Sequence, residues 1–286
     1  MKLGLCLSGG GIKGAAHIGA IKALEEENIE FDAIAGTSAG SIVAVMYACG
    51  YNSSQMYNFF QEYAKKIKYI DWKNIFTIIW GVISKRQLII RGLKSGEIIE
   101  KIVNKVCNEK GYYNINDIDK ELLIPAVDSK TGKLFIFNSC GIDKENEYEK
   151  YIPSESIGNA VRASSSFPGM FIPCEYLDTE LLDGGIKENV PWVELKAVNC
   201  DKILSIDFIS DSTNKCCGGL IDIFGRSLEL INEELTRHEL NNIDFLHSIK
   251  LEKVSLLDIT KIQELFEEGY KQTKEKMWKI KEYLKN

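Results

Sequence analysis

The stretch from Phe31 to Ala48 constrains this chain more than any other. A short apolar run ends in Gly36-Thr37-Ser38-Ala39-Gly40 and continues into an Ala, Val and Met segment, a pattern that reads as strand, tight turn, helix. In a G-x-S-x-G turn the flanking glycines let strand and helix approach closely, while the serine takes a strained backbone position with its hydroxyl outward. The same turn places Ser38 at a helix N-terminus, where unpaired N–H groups and the helix dipole favour developing negative charge. Taken alone the pentapeptide also fits a plain glycine turn into a helix, so the weight falls on what surrounds it.

The chain opens with a strand, Lys2 to Leu7, then Ser8-Gly9-Gly10-Gly11-Ile12-Lys13-Gly14, then a helix to about Glu27 with Ala16, Ala20, Ile21, Ala23 and Leu24 as its apolar positions. A second strand, Phe31 to Ala35, follows at once. Such a β-α-β unit lays its two strands parallel and side by side, so both glycine turns emerge at one edge of the sheet. Three consecutive glycines expose backbone N–H groups that can point at a carbonyl oxygen attacked by Ser38. The loop also matches G-x-G-x-x-G, but the acidic residue that a dinucleotide site needs at the end of the second strand is missing, since Asp32 stands at its start. A Walker loop fails too, because Gly14 is followed by Ala15-Ala16.

At 286 residues, with 45% hydrophobic and 27% charged residues, the chain suits one soluble globular domain, residues 1–286. It begins directly as a strand without a targeting pattern, and its longest apolar run, Ile75 to Ile83, is far short of a membrane span, so a cytoplasmic protein is expected. The eight cysteines lack C-x-x-C pairs, which points to reduced thiols and no metal site. Residues 53–94 read as a helical cap rich in aromatics. Between Lys65 and Lys94 stand eight basic residues against one acid, a local net of +7 in a chain of net −6. That segment is either a solvated cap or a contact with an anionic membrane, which would make the protein peripherally membrane-associated. Nothing in the sequence points to nucleic acid.

Further on, Ile98, Ile99, Ile102, Val103 and Val106 share one face of a helix from Ser95 to about Cys107. Leu122–Asp128 and Lys133–Asn138 flank Ser129-Lys130-Thr131-Gly132 as a hairpin, and the acidic stretch Asp143–Lys150 reads as a surface loop. A short helix over Ser156–Ala163 carries Arg162 as a partner of its C-terminal dipole. Then come a strand over Lys202–Phe208, a helix from about Leu220 to Asn241, a strand over Asp244–Leu251 and a closing helix. The pattern is a three-layer α/β/α fold with a mostly parallel central sheet.

Of the three histidines, His17 reads as a packed residue, and His238 and His247 would suit an α/β-hydrolase order that the early position of Ser38 argues against. Asp128, Asp183 and Asp207 stand at strand ends, and of these only Asp183 precedes Gly-Gly. A carboxylate is a weaker base than histidine by about 2.6 pK units, roughly 3.5 kcal/mol. A single oxyanion donor is worth about 2.7–4 kcal/mol, enough to cover the deficit.

The segments Gly9–Gly14, Gly36–Gly40 and Asp183-Gly184-Gly185, in this order, resemble the three signature motifs of the patatin-like phospholipases, serine acyl hydrolases that use a Ser–Asp dyad. Residues Arg162 to Pro173 resemble that family's block before its aspartate. The resemblance covers most of the chain and implies Ser38 as nucleophile, Asp183 as base and the N–H groups of Gly9, Gly10 and Gly11 as oxyanion hole. Lys13, Gly14, Gly36, Gly40, Gly184 and Gly185 would support the motifs, with no metal or organic cofactor. It further implies a lipid or acyl-ester substrate, cleaved as by a phospholipase A, lysophospholipase or esterase. The alternative is a lipid-binding or membrane-interaction module that retains a residual hydrolase site.

Overall fold

The N-terminal β-α-β unit frames the molecule. In the computed structural model, which describes residues 1–68, 91–210, 243–252, 254 and 258–285 together with single positions between 223 and 237, β1 (Leu3–Leu7), α1 (Gly14–Glu25) and β2 (Ala33–Gly36) follow one another. The two strands pair in parallel, with Leu7 opposite Gly36. After the elbow come α2 (Ala39–Ala48), α3 (Ser53–Lys68) and α4 (Glu97–Glu109), then the hairpin of β3 (Glu121–Asp128) and β4 (Leu134–Asn138). The chain continues through β5 (Glu149–Ile152), α5 (Ile157–Ser164), β6 (Cys174–Tyr176), β7 (Thr179–Asp183), α6 (Trp192–Ala197), β8 (Lys202–Ser210), β9 (Phe245–Leu251) and α7 (Ile262–Lys285).

Among the described residues the sheet runs β5-β4-β3-β2-β1-β8-β9, and its centre from β3 to β9 is parallel throughout. Parallel strands buried on both faces read as nearly continuous apolar runs, as β1 and β8 do. Leu5, Leu7, Ile34, Leu204 and Ile206 turn to one face and pack with α1, α2, α3, α4, α5 and α7. Cys6, Ala33, Ala35 and Leu123 turn to the other and meet Leu195 and Val198 in and after α6. Helices therefore cover both faces, unequally. The α1–α7 contact is backbone to backbone: a Cβ on Gly19 would collide with the Phe266 carbonyl oxygen, and one on Gly269 with that of Ala16.

The arrangement around β3 positions the site. One edge of β3 pairs with β4 from Leu123 to Val127, so the other edge must serve both β2 and β7. β2 occupies Glu121 to Leu123 and then leaves the sheet at the elbow. β7 takes over the vacated edge in antiparallel sense, with Asp183 opposite Ala126. The last residue of β7 is thereby set just ahead of the point where β2 turns toward Ser38.

Several expectations need correction. The stretch Asp143–Lys150 is not all loop: Glu149 and Lys150 begin β5, an edge strand whose polar, half-exposed residues hide it in the sequence. The mostly parallel sheet and the hairpin are as expected, with antiparallel pairs confined to β3–β4, β3–β7 and β6–β7 among the described residues. Of the α4 stripe, Ile99, Ile102 and Val103 are buried, whereas Ile98 is exposed. Of the expected cap 53–94, α3 and residues 91–94 are described, and the Leu93 and Lys94 N–H groups donate to the Met170 carbonyl at 3.1 and 3.0 Å. Residues 69–90, Cys216, Cys217, His238 and most of the helix expected over 220–241 lie outside the described residues.

Candidate active site

The elbow forms as its sequence dictates. Ser38 has φ 52° and ψ −120°, a left-handed conformation that a non-glycine residue holds at a cost of about 1–3 kcal/mol. It stands at the N-cap of α2 but makes no side-chain cap bond, so its hydroxyl is not consumed by the helix. The main chain is secured instead: the Ser38 N–H donates to Ser164 Oγ at 3.0 Å, and the Ser41 hydroxyl donates to the Ser38 carbonyl at 2.6 Å. Thr37 Oγ1 donates to the Glu188 carbonyl at 3.0 Å. A Cβ on Gly40 would lie 2.5 Å from the Leu7 carbonyl oxygen, and one on Gly36 would strike the Gly40 carbonyl. Both glycines are demanded by the close approach of α2 to the ends of β1 and β2.

Asp183 closes β7 and caps the turn Gly184–Ile186, its Oδ1 accepting the Gly185 N–H at 2.8 Å. Its N–H donates to the Ser166 carbonyl at 3.1 Å, so the Ser164–Ser166 segment holds both Ser38 and Asp183. Oδ2 is buried and accepts no hydrogen bond of ordinary geometry among the described residues. Burial pushes the Asp183 carboxyl up to about 6, and the neighbouring Ser38 hydroxyl and the Gly185 N–H pull against that rise. The Ser38 hydroxyl is thus a neighbour of the Asp183 carboxyl. Gly184 carries no side chain because a Cβ would strike the Pro125 carbonyl.

The glycine loop is not uniform. The Gly9 N–H donates to the Asn189 carbonyl at 3.2 Å, so the oxyanion donor expected at Gly9 is already engaged by the main chain. Gly10, at φ 156°, and Gly11, at φ 56°, donate no main-chain hydrogen bond among the described residues. Gly10 rests on Phe208, whose ring packs 4.3 Å from that of His17. His17 Nε2 in turn bonds the Ser8 carbonyl at 2.9 Å. Lys13 is buried at the start of α1, and Gly14 packs against Phe60 and Ala39.

The two described histidines, His17 and His247, are engaged elsewhere. Burial pushes His17 down to about 4, and the same holds for His247, whose Nε2 bonds Thr273 Oγ1 at 2.9 Å. Both are neutral packing residues at pH 7. Asp128 accepts the Thr131 and Thr179 hydroxyls and organises the hairpin turn, while Asp207 lies on β8 beside Ser248. Arg162 does not meet the site: it donates to Glu100 at 3.0 Å and ties α5 to α4. Sequence reasoning missed Ser164, Glu188 and Asn189. The Ser-rich run before Pro168 and the polar pair between Gly-Gly and Val-Pro are the signals that could have found them. No helix among the described residues is long and apolar enough to cross a membrane.

Comparison with known proteins gives a consistent outcome. The family model described as patatin-like phospholipase matches residues 5–196. Lysophospholipase NTE1 of Saccharomyces cerevisiae is 29% identical over 208 residues, 72% of this chain and 11% of that protein. The NTE1 of Lodderomyces elongisporus is 30% identical over 205 residues, 72% of this chain and 12% of its own. The chain therefore spans about a tenth of these relatives' length. Among solved structures, VipD from Legionella pneumophila superposes with a TM-score of 0.54 at 16% identity, covering 96% of this chain and 66% of that one. ExoU in its complex with SpcU from Pseudomonas aeruginosa gives 0.54 at 19% identity, covering 98% and 51%. At such identities the likeness concerns the fold.

Proposed function

The chain belongs to the patatin-like phospholipase family, and from that premise we propose that it is a lipid acyl hydrolase working through Ser38 and Asp183. The observation that carries this reading is the meeting of a strained, uncapped serine with a buried carboxylate oxygen that has no other partner among the described residues. Ser38 Oγ attacks the acyl carbonyl and passes its proton to Asp183 Oδ2, while the Gly10 and Gly11 N–H groups receive the oxyanion. Collapse of the tetrahedral intermediate expels the alcohol, which takes the proton from Asp183, and leaves Ser38 acylated. Water then gives a proton to Asp183, attacks the acyl-enzyme and releases the fatty acid, restoring Ser38. The raised Asp183 pKa of about 6 brings this base within about half a unit of a free histidine, which removes most of the deficit that an ordinary aspartate would carry.

The direct test is fatty-acid release from lysophosphatidylcholine, with fluorophosphonate labelling and peptide mapping alongside. Steady release and a stoichiometric adduct on Ser38 are expected. A well-folded protein that binds the lipid without consuming it is a binding module, and the hydrolase reading falls.

The local net of +7 between Lys65 and Lys94 supports peripheral contact with an anionic membrane. Cosedimentation with vesicles rich in phosphatidylserine should be lost at about 0.5 M salt, where the Debye length falls to roughly 4 Å. Binding indifferent to both salt and lipid charge would leave 65–94 as a solvated cap.

A further inference from the structure

One loop touches every part of the site. Between Asp183 and Asn189 it carries the carboxylate beside Ser38, the Glu188 carbonyl that accepts the Thr37 hydroxyl, and the Asn189 carbonyl that accepts the Gly9 N–H. Asn189 also sends its side chain back over the glycine loop. A Cβ on Gly9 would lie 2.7 Å from Asn189 Oδ1 and 3.4 Å from Ser38 Cβ, so amide and nucleophile border one small space above Gly9. Gly9 is not among the glycines of positive φ. What calls for glycine here is the room that the amide takes, not the backbone conformation. The amide is half-buried, and among the described residues its side chain makes no hydrogen bond. A carboxamide with two donors and an acceptor left open beside a nucleophile is suited to a polar ligand.

We propose that the Asn189 side-chain amide is the third donor of the oxyanion site, its Nδ2 group donating to the acyl oxygen of the bound ester beside the Gly10 and Gly11 N–H groups. A half-turn about χ2 brings Nδ2 to the position of Oδ1. The glycine loop gives up one main-chain donor when Gly9 bonds the Asn189 carbonyl, and the same asparagine returns one from its side chain. This inference rests on the hydrolase reading above.

The test compares wild type with Asn189→Ala, Asn189→Asp, Gly9→Ala and the Gly9→Ala/Asn189→Ala pair, using p-nitrophenyl butyrate turnover and fluorophosphonate labelling of Ser38. A donor to developing charge acts in the transition state, so Asn189→Ala should lower kcat by about a hundredfold and move KM by less than about threefold. Asn189→Asp, equal in shape but without the donor, should fall at least as far, and it keeps the test decisive should the alanine variant not fold. Gly9→Ala should impair the otherwise wild-type enzyme yet cost less than about threefold more in the Asn189→Ala background, because its methyl group acts by displacing the amide. Turnover of Asn189→Ala within about threefold of wild type, or rescue by Asn189→Asp, overturns the inference and leaves the hydrolase reading standing. A wild-type protein that neither turns over the ester nor labels at Ser38 overturns both.

Discussion

Replacing Ser38 by alanine is expected to lower ester turnover by about 10⁴- to 10⁶-fold, the range seen when the nucleophile of a serine hydrolase is removed. What remains is the contribution of bound substrate and the oxyanion donors, which outlasts the nucleophile. The loss should come without loss of fold. The hydrogen bonds that hold the elbow, from the Ser38 N–H to Ser164 Oγ and from Ser41 Oγ to the Ser38 carbonyl, use only the main chain of residue 38. The left-handed φ of 52° is no worse for alanine than for serine. The checks are kcat on p-nitrophenyl butyrate, absence of the fluorophosphonate adduct, and a melting temperature within about 3 °C of wild type. A folded Ser38→Ala variant with turnover within tenfold of wild type would remove Ser38 from the mechanism.

The parts of this site that depend on local chemistry are legible in the amino-acid sequence. Gly36 and Gly40 mark a strand-to-helix turn too tight for side chains, and both face carbonyl groups that a Cβ would strike. The β-α-β spacing places Gly9–Gly11 and Gly36–Gly40 at one sheet edge, and β1 and β2 pair in register to do so. The proposed base is harder to read. Nothing local distinguishes Asp183 from Asp128 or Asp207 beyond the two glycines that follow it, and the resemblance to a family decides the matter. Its position depends on which edge of β3 is left open when β2 departs, a fact of pairing that no short stretch encodes. The same holds for Ser164 and Asn189, whose contacts with Ser38 and Gly9 join residues more than a hundred positions apart. The sequence is silent on one more point for a related reason: a backbone N–H is open only if no distant carbonyl claims it, and the Asn189 carbonyl accepts that of Gly9.

Asp183→Asn is expected to separate activity from stability in opposite directions. Asparagine cannot take the proton of Ser38, so turnover should fall by about 10³- to 10⁴-fold, as when other hydrolases lose the carboxylate of their catalytic group. In the proposed mechanism only ionised Asp183 can act as base. With its pKa at about 6 in the free protein, kcat/KM should drop nearly tenfold per pH unit below that value and level off above it, and the residual activity of the variant should lose this step. Stability has the reverse sign. The folded pKa is raised from 3.8 to about 6, so between these values the native state binds more protons than the unfolded chain, and wild-type stability declines as pH rises through that window. Above about pH 6 the whole cost, about 3 kcal/mol, is present. A neutral amide does not incur it. Asp183→Asn should therefore melt higher than wild type at pH 7, by up to roughly 5 °C for a chain of this length, with the difference fading below about pH 4. Equal melting temperatures at pH 7 would mean that the carboxylate is better solvated than its buried, unpartnered Oδ2 indicates. The free energy that folding loses is thus concentrated at two neighbouring residues, in the buried carboxyl of Asp183 and the main-chain strain of Ser38.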